Sequence, residues 1–573
     1  MSINPLFPGL GSILKDGRGH RTSDLIAGVI TGLVLVPQAV AFAQLAGLPP
    51  EVGLAASVLP MLIYALLGSS RTLSVGPVSV AALMVGEVVL RYPNEVAVVV
   101  PLLAAQGALI LLLLVVLRLE VLTRVFSHTV LGGFTVASAL LIVGSQLKPL
   151  LGGPLQWSRG LAAILTMPTL YAGLSAVLLL YAYNQYIGPS LQPWVRRFLG
   201  EAGALLVSRM GPLLLLSVAG LLVYGQVNNW HLHWATVGKV PSSVVKLDVS
   251  WIQAVNLKLF FAVLPSAIMI ALVGYVESFA VAQSLAQRRR ENISVRAEML
   301  AISAANGVAS MCGAMPVAGG FSRSMVNFSA GASTQLAAVV AASFSFIALL
   351  LAADAFLVVP KFILGAIIIV SILPLIKFQE PWTLWRTDRA EALTWLTTFL
   401  GVLIFGIEAG LIAGATLGIL TYLASLVEPH VAIVGRMPGT EHFRNISRHA
   451  VETLPGLLLI RFDESLTFLN APSLKRALQH ELSLAKDIRQ VVLSGAAMNR
   501  IDITGAHTLI DMARDLNQAG VGFHLAEVKG PVLDYLAKSA FESQFSGRIF
   551  LSFQMAIDVL SQGPMLSAKK FAW

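Results

Sequence analysis

The chain has 573 residues, 56% of them hydrophobic and 12% charged, with a mean hydropathy of +0.78. Soluble domains carry about 25% charged residues, so this composition excludes a purely soluble protein and assigns most of the chain to lipid. A single cysteine, Cys312, rules out an internal disulfide and a cysteine-based metal cluster. The net charge of +9 sits in short loops, a pattern of membrane sidedness rather than of a nucleic-acid partner.

Residues 1–23 read as a cytoplasmic N-terminal segment. The stretch lacks the short apolar core and small-residue cleavage site of a signal peptide, so the first membrane helix is expected to be retained. At about 20 residues per crossing, helices are predicted near 24–46, 51–68, 74–91, 97–117, 127–147, 169–188 and 211–227. A second set is predicted near 259–286, 297–313, 321–332, 334–353, 361–377, 390–407 and 409–427. Loops on one side carry most of the basic residues, among them Arg18, Arg21, Arg71, Arg124 and the Arg288–Arg290 run. The other side carries fewer: Arg91, Lys148, Arg159, Lys239, Lys246, Lys258 and Lys361. The positive-inside bias therefore places the N-terminus in the cytoplasm, and an even number of crossings returns the C-terminus there. The expected location is the cell inner membrane, spanned many times.

Two predicted spans are interrupted. The third, GSSRTLSVGPVSVAALMVG (Gly68–Gly86), and the tenth, around GGFSRSMVN (Gly319–Asn327), each have glycine or proline just before a short apolar helix. Each is third in its set of seven. Non-helical backbone at membrane depth is tolerated only where protein or water surrounds it, and matching interruptions in two halves point to a transporter of inverted repeats. Half-helices starting near Pro77, suited to a first helical turn, and near Ser322 would present free N–H groups and positive partial charge to one site, an arrangement that binds anions. Arg323 would add a full charge, and Ser322 and Ser324 hydroxyl donors.

Glu277, in IALVGYVESFAVAQSLAQRRR, lies 11 residues before Arg288, about 16 Å of helix and close to mid-bilayer. Burial disfavours a carboxylate and a nearby cation favours it. That opposition suits a group that takes up and releases a proton, although a hydrogen-bonded structural acid or a Na⁺ ligand also fits these residues. Glu87, Asp354 and Glu408 lie near predicted helix ends, where acids usually face headgroups or water. His231 and His233 flank Leu232 in an outer loop and form no metal set. No cofactor motif is present, GSSR lies between membrane helices and is not a nucleophile elbow, and an enzyme is not expected.

After Val427 the pattern changes. LLLIRFDESLTFLNAPSLKRALQHEL reads as strand, turn and amphipathic helix, and RQVVLSGAAMNRIDITGAHTLIDMARDLNQAGVGFHLAEV repeats the scheme. The expected division is a membrane domain over 24–427, a small soluble α/β domain over 428–562 and a disordered tail over 563–573.

VPQAVAFAQLAGLPPEVGL (Val36–Leu54), PMLIYALLGSSRTLSVGPVSVAALM (Pro60–Met84) and GGFSRSMVN resemble hallmark stretches of the SulP family of sulfate permeases and anion transporters. The C-terminal region resembles the STAS domain attached to them. The resemblance implies a polytopic α-helical fold of fourteen helices in a seven-plus-seven inverted repeat, UraA-like, with a core moving against a gate, and a homodimer. It further implies an anion pocket at Gln38 and Phe42 of the first helix, at Gly76, Pro77, Val78 and Ser79, and at Phe321, Ser322 and Arg323. NRIDITGAHTL (Asn499–Leu509) matches the STAS loop in which a phosphorylated serine or threonine directly follows the aspartate. Here Ile503 follows Asp502 and the hydroxyl comes later, at Thr504, so a capping role for Thr504 is expected instead, with the domain serving dimerisation or a cytosolic partner.

The function expected is secondary active anion transport, sulfate entering with protons by alternating access, with Glu277 as the proton-coupling residue. A Na⁺-coupled bicarbonate carrier, a proton-coupled C4-dicarboxylate carrier and, from another class, a transport-inactive STAS signalling scaffold are the alternatives.

Overall fold

The computed structural model describes residues 7–15, 17–119, 127–151, 168–229, 234–237, 247–351, 358–377, 379–484 and 487–561. Arg124, Arg159, His231, His233, Lys239, Lys246, Asp354 and the tail from 563 lie outside them. Two compact units divide the chain, Met1–Gly418 and Ile419–Trp573.

A helix occupies each of the fourteen predicted spans. In the first half these are α1 (Gly17–Leu45), the pair α2 (Pro50–Ala55) and α3 (Leu59–Leu67), α4 (Ser79–Arg91), α5 (Val96–Val116), α6 (His128–Ser145), α7 (Pro168–Ala182) and, after α8 (Gly188–Arg209), α9 (Gly211–Asn229). In the second half they are α10 (Leu257–Arg289), α11 (Val295–Met311), α12 (Phe321–Ser329), α13 (Leu336–Leu351), α14 (Lys361–Ile372) and, after α15 (Glu380–Thr387), α16 (Arg389–Phe405) and α17 (Ile407–Val427). The second span is two helices because Pro50 and Pro60 each open a new one, the position proline tolerates best.

Packing sorts these helices into two groups. In the core group α11 lies on α3 and α5, α13 on α1 and α3, α10 on α4 and α5, and α12 on α1. In the gate group α6 packs on α16 and α14, and α7 on α14 and α9. Small residues set a close core contact. A Cβ on Gly28 would lie 2.5 Å from Val340 Cβ and one on Gly32 2.8 Å from Phe344 Cβ, so α1 and α13 approach almost backbone to backbone.

The two interruptions meet. β1 (Val75–Gly76) pairs antiparallel with β2 (Ala318–Gly319), in the register Val75 to Gly319 and Gly76 to Ala318. Each two-residue strand leads directly into a half-helix, β1 into α4 and β2 into α12. The unpaired backbone that lipid would forbid is thus satisfied by the other half of the chain. Side chains complete the crossing: Ser74 N donates to Ser324 Oγ (2.9 Å), Asn327 Nδ2 to the Thr72 carbonyl (3.0 Å) and Gly319 N to Ser278 Oγ (2.7 Å).

The second unit contains a six-stranded sheet in the order β4-β3-β5-β6-β7-β8. Its strands are β3 (Val431–Arg436), β4 (Phe443–Asn445), β5 (Leu457–Phe462), β6 (Gln490–Ser494), β7 (Gly522–Ala526) and β8 (Ile549–Phe550). β5 to β8 run parallel and β3 antiparallel to β5. Between the parallel strands lie α18 (Ala471–Leu484), α19 (Ile503–Gln518) and α20 (Gly530–Ala537), and α21 (Phe553–Ser561) follows β8. Apolar side chains from both sheet faces build two buried clusters, one around Ile460, Val491 and Leu493 and one around Leu459, Val492 and Ile557.

One expectation is corrected here. Thr504 does not cap α19. Asp502 does, its Oδ1 accepting from Gly505 N at 2.8 Å, while Thr504 is exposed within the first turn. A carboxylate at the residue before the helix reaches that N–H with ideal spacing, which leaves Thr504 nothing to cap.

Candidate anion site

α4 and α12 start without a side-chain cap; their N-cap positions are Val78 and Gly320, both in extended backbone. Their first-turn N–H groups are therefore not consumed locally. Pro77 stands outside α4, not in its first turn. Pairing of β1 with β2 keeps the chain extended through Val78, so the helix opens two residues after the proline. Pro77 acts through its carbonyl instead.

Arg323 is the largest fully buried side chain of the molecule among the described residues, at 1% exposure. Its backbone belongs to the first turn of α12, and its guanidinium crosses to the other half, Nη1 donating to the Pro77 carbonyl at 2.6 Å. Nε and Nη2 have no hydrogen-bond partner among the described residues. A buried cation with two idle donors is expensive unless something arrives to satisfy them. Two glycines shape its berth: a Cβ on Gly320 would lie 3.0 Å from Nη2, and one on Gly76 3.2 Å from it.

The space beside this group is a cavity of about 300 Å³ lined by Gln38, Phe42, Val78, Ser79, Glu277, Gly320, Phe321, Ser322, Arg323, Met325, Ser371, Ile372, Pro374 and Leu375. Eight of the ten residues expected at the site line it. Gly76 and Pro77 are the other two, and both touch the guanidinium rather than the cavity. Ser324 is not a ligand donor: it is fully buried and its hydroxyl holds Ser74 N. Glu277 faces the same cavity from α10, with Arg323 as the charge that acts on it. No ion pair within 4.0 Å joins Glu277 to another side chain among the described residues. Its neighbour Ser278 holds β2, so α10 fixes the crossing with one residue and supplies an acid with the next.

Comparison with known proteins follows the same outline. Residues 22–398 match the sulfate permease family and residues 448–556 the STAS domain. The chain belongs to the sulfate permease family. It is 30% identical over 566 residues to a probable sulfate transporter of Mycobacterium tuberculosis, covering 96% of this chain and 97% of that one. It is 29% identical over 545 residues to probable sulfate transporter 4.2 of Arabidopsis thaliana, covering 90% and 77%. Among solved structures it superposes on the murine anion transporter Solute Carrier 26 family member A9 in the inward-facing state. The TM-score is 0.83 at 19% identity, over 98% of this chain and 94% of that one. The transmembrane domain of a cyanobacterium bicarbonate transporter, BicA, gives a TM-score of 0.54 at 17% identity, over 68% and 96%. The protein is thus a multi-pass membrane transporter of the anion-carrying class with a STAS domain.

Sequence reasoning missed the gate side of this cavity: Ser371 and Ile372 at the end of α14, and Pro374 and Leu375 just beyond it. The signal was a serine and a proline closing an otherwise continuous apolar run, in SILPL. Ser371 Oγ, half-buried, makes no hydrogen bond to the described residues, although a helical serine usually bonds back to its own turn. Gly320 was missed because absence of a side chain, rather than a functional group, is its contribution.

Proposed function

We propose that the protein carries sulfate into the cell together with protons, by alternating access of the core group against the gate group. The observation that carries this reading is the pair of idle guanidinium donors on Arg323 between two uncapped helix starts. One full charge and about half a charge from each helix end sum to roughly +2, the complement of a dianion. An ionised Glu277 beside the anion would cancel about half of that. A dianion therefore favours protonated Glu277, and its release favours proton loss, so the two move together. The names of the relatives support sulfate, and Gln38, Ser79 and Ser322 supply neutral polar contacts to oxygens at low desolvation cost.

On this reading the protein sits in the cell inner membrane with both termini in the cytoplasm, works as a homodimer, and uses the STAS domain for dimerisation or a cytosolic partner. Gln38, Phe42, Gly76, Pro77, Val78, Ser79, Phe321, Ser322 and Arg323 form the substrate site, and Glu277 exchanges the proton. Purified protein in liposomes tests it. Labelled sulfate should accumulate under an inward proton gradient, not under a sodium gradient, and Glu277→Gln should equilibrate sulfate without concentrating it. Sodium-driven bicarbonate uptake without sulfate uptake would replace both substrate and coupling ion. Folded protein that moves neither would turn attention to a signalling scaffold.

A further inference from the structure

The half-helix of 13 residues that opens the anion cavity at Ser79 ends at Arg91, about 18 Å away along the helix axis. At that far end core meets gate again. Arg91 Nη2 donates to Glu87 Oε1 on its own helix at 2.5 Å, and Arg91 Nη1 lies 3.6 Å from Glu408 Oε2. Glu408 opens α17, which packs on α16 through Gly410 and Gly414 and so belongs to the gate. Its other oxygen accepts a short hydrogen bond from Ser266 of α10, in the core. Glu87 in turn rests against the turn between α16 and α17: Gly406 has φ +89°, and a Cβ there would meet Glu87 Oε1 at 3.2 Å. Two of the three acids expected to face headgroups or water, Glu87 and Glu408, are thus engaged, each through a core-to-gate contact. Beneath them is a cavity of about 430 Å³ along the same seam, lined by Gln44, Leu83, Glu87 and Val89 of the core and Leu141 and Val402 of the gate.

We propose that Arg91, Glu408 and Ser266 form a latch that holds core to gate at the end of α4 remote from the anion cavity, and that it opens once in each transport cycle. The inference rests on the core-and-gate reading, and is independent of which anion or coupling ion the protein uses. The chemistry fits a joint that must let go. The contacts are polar, the Arg91 and Glu408 side chains are 46% and 23% exposed, and water can replace each partner when the seam parts. Exposed ion pairs shift an equilibrium by about fivefold at most, enough to bias one conformation without trapping it. A buried pair would cost far more to open. Because α4 carries Ser79 at one end and Arg91 at the other, any rigid shift of the helix at the anion site is felt at the latch.

The test reads the seam directly and needs no transported ion. In full-length protein carrying Cys312→Ala, the change Val89→Cys puts one thiol on the buried core wall of the second cavity, where Val89 is 8% exposed. Its rate of labelling by a charged, water-soluble maleimide is followed in nanodiscs, where both membrane faces are accessible. Glu408→Gln and Arg91→Gln should each speed labelling by two- to fivefold, and the double variant by no more than either alone, the signature of a shared interaction. Glu87→Gln, which keeps the cross-seam pair and a side chain of the same shape against Gly406, should change labelling less than either latch variant. Unchanged labelling in both single variants that remain monodisperse, or fully additive rates in the double variant, would overturn the latch. Neither result would bear on sulfate binding at Arg323, which is measured separately.

Discussion

The two β-sheets of this chain are built for different ends. The one in the membrane part consists of two strands of two residues each, Val75–Gly76 and Ala318–Gly319, drawn from opposite halves of the sequence. The one in the soluble unit has six strands, joined in its parallel part by helices of ordinary length. The small sheet brings only the buried side chains of Val75 and Ala318 to the core; it holds two helix starts and one guanidinium in place. The large one is a scaffold whose faces are the hydrophobic core. The difference teaches where each kind of damage should register: at the crossing in transport with little change in stability, in the soluble unit in stability with little change in transport.

The sharpest break should come from Arg323→Ala, which removes the buried charge and is expected to lower sulfate affinity by roughly 30-fold or more. Arg323→Lys should recover only part of it, since an ammonium lacks the planar fork. Titration of the purified protein, with thermal unfolding alongside, separates site from scaffold.

In the soluble unit the corresponding probe is acid. His524 Nδ1 accepts from Arg548 N at 3.1 Å, and Nε2 lies 2.7 Å from Gln490 Oε1, an arrangement the neutral ring satisfies. Burial, then the Arg548 charge, push its pKa down to about 4. The unfolded chain binds this proton near pH 6.5 and the folded one does not. Stability is therefore unaffected above pH 6.5 and falls as pH drops from there towards 4, by roughly 2–3 kcal/mol. Hydrogen exchange in Gly522–Ala526 at pH 7 and 4.5 checks it, and His524→Gln should remove the pH dependence.

Gly320→Ala sharpens the comparison further. Its Cβ meets the guanidinium of Arg323 at 3.0 Å, so KM for sulfate should rise about tenfold, an effect of roughly 1.4 kcal/mol, while the melting temperature barely moves. The smallest effects are expected as a pair. Ser371→Ala should raise KM two- to fivefold through one lost hydroxyl contact. Asp502→Ala should cost the start of α19 about 1 kcal/mol, visible by hydrogen exchange and silent in transport. A Ser371 variant that destabilises, or an Asp502 variant that slows transport, would blur the distinction between the two sheets.

Much of this was legible in the sequence, for physical reasons. Lipid requires long apolar runs, so the spans declared themselves, and α19 and β7 followed from period and turn residues. The broken spans were legible because glycine and proline interrupt an apolar run, and Arg323 and Glu277 because a charge there is costly. What stayed hidden depends on who meets whom. That Ser324 serves the backbone of Ser74 while Ser322 faces the cavity is decided by a two-residue step along a helix. That Pro77 offers its carbonyl follows from a pairing with residues in the other half. β3 and β4 were not anticipated, because VAIVGR and FRN are short and their pairing is set by contacts with each other and with β5.

The bond from Arg323 to the Pro77 carbonyl also sets an order of events in biosynthesis. The ribosome delivers the first interruption long before the second. Until Ala318–Arg323 have been made, the amides and carbonyls around Val75 have no strand to pair with and the membrane offers them no water. The third span therefore cannot finish when it is inserted. It must wait, part-built, for a segment from the far half of the polypeptide, and the candidate anion site comes into being only when that segment docks. A ribosome stalled before residue 318 would leave a chain with most of its early spans and no site at all.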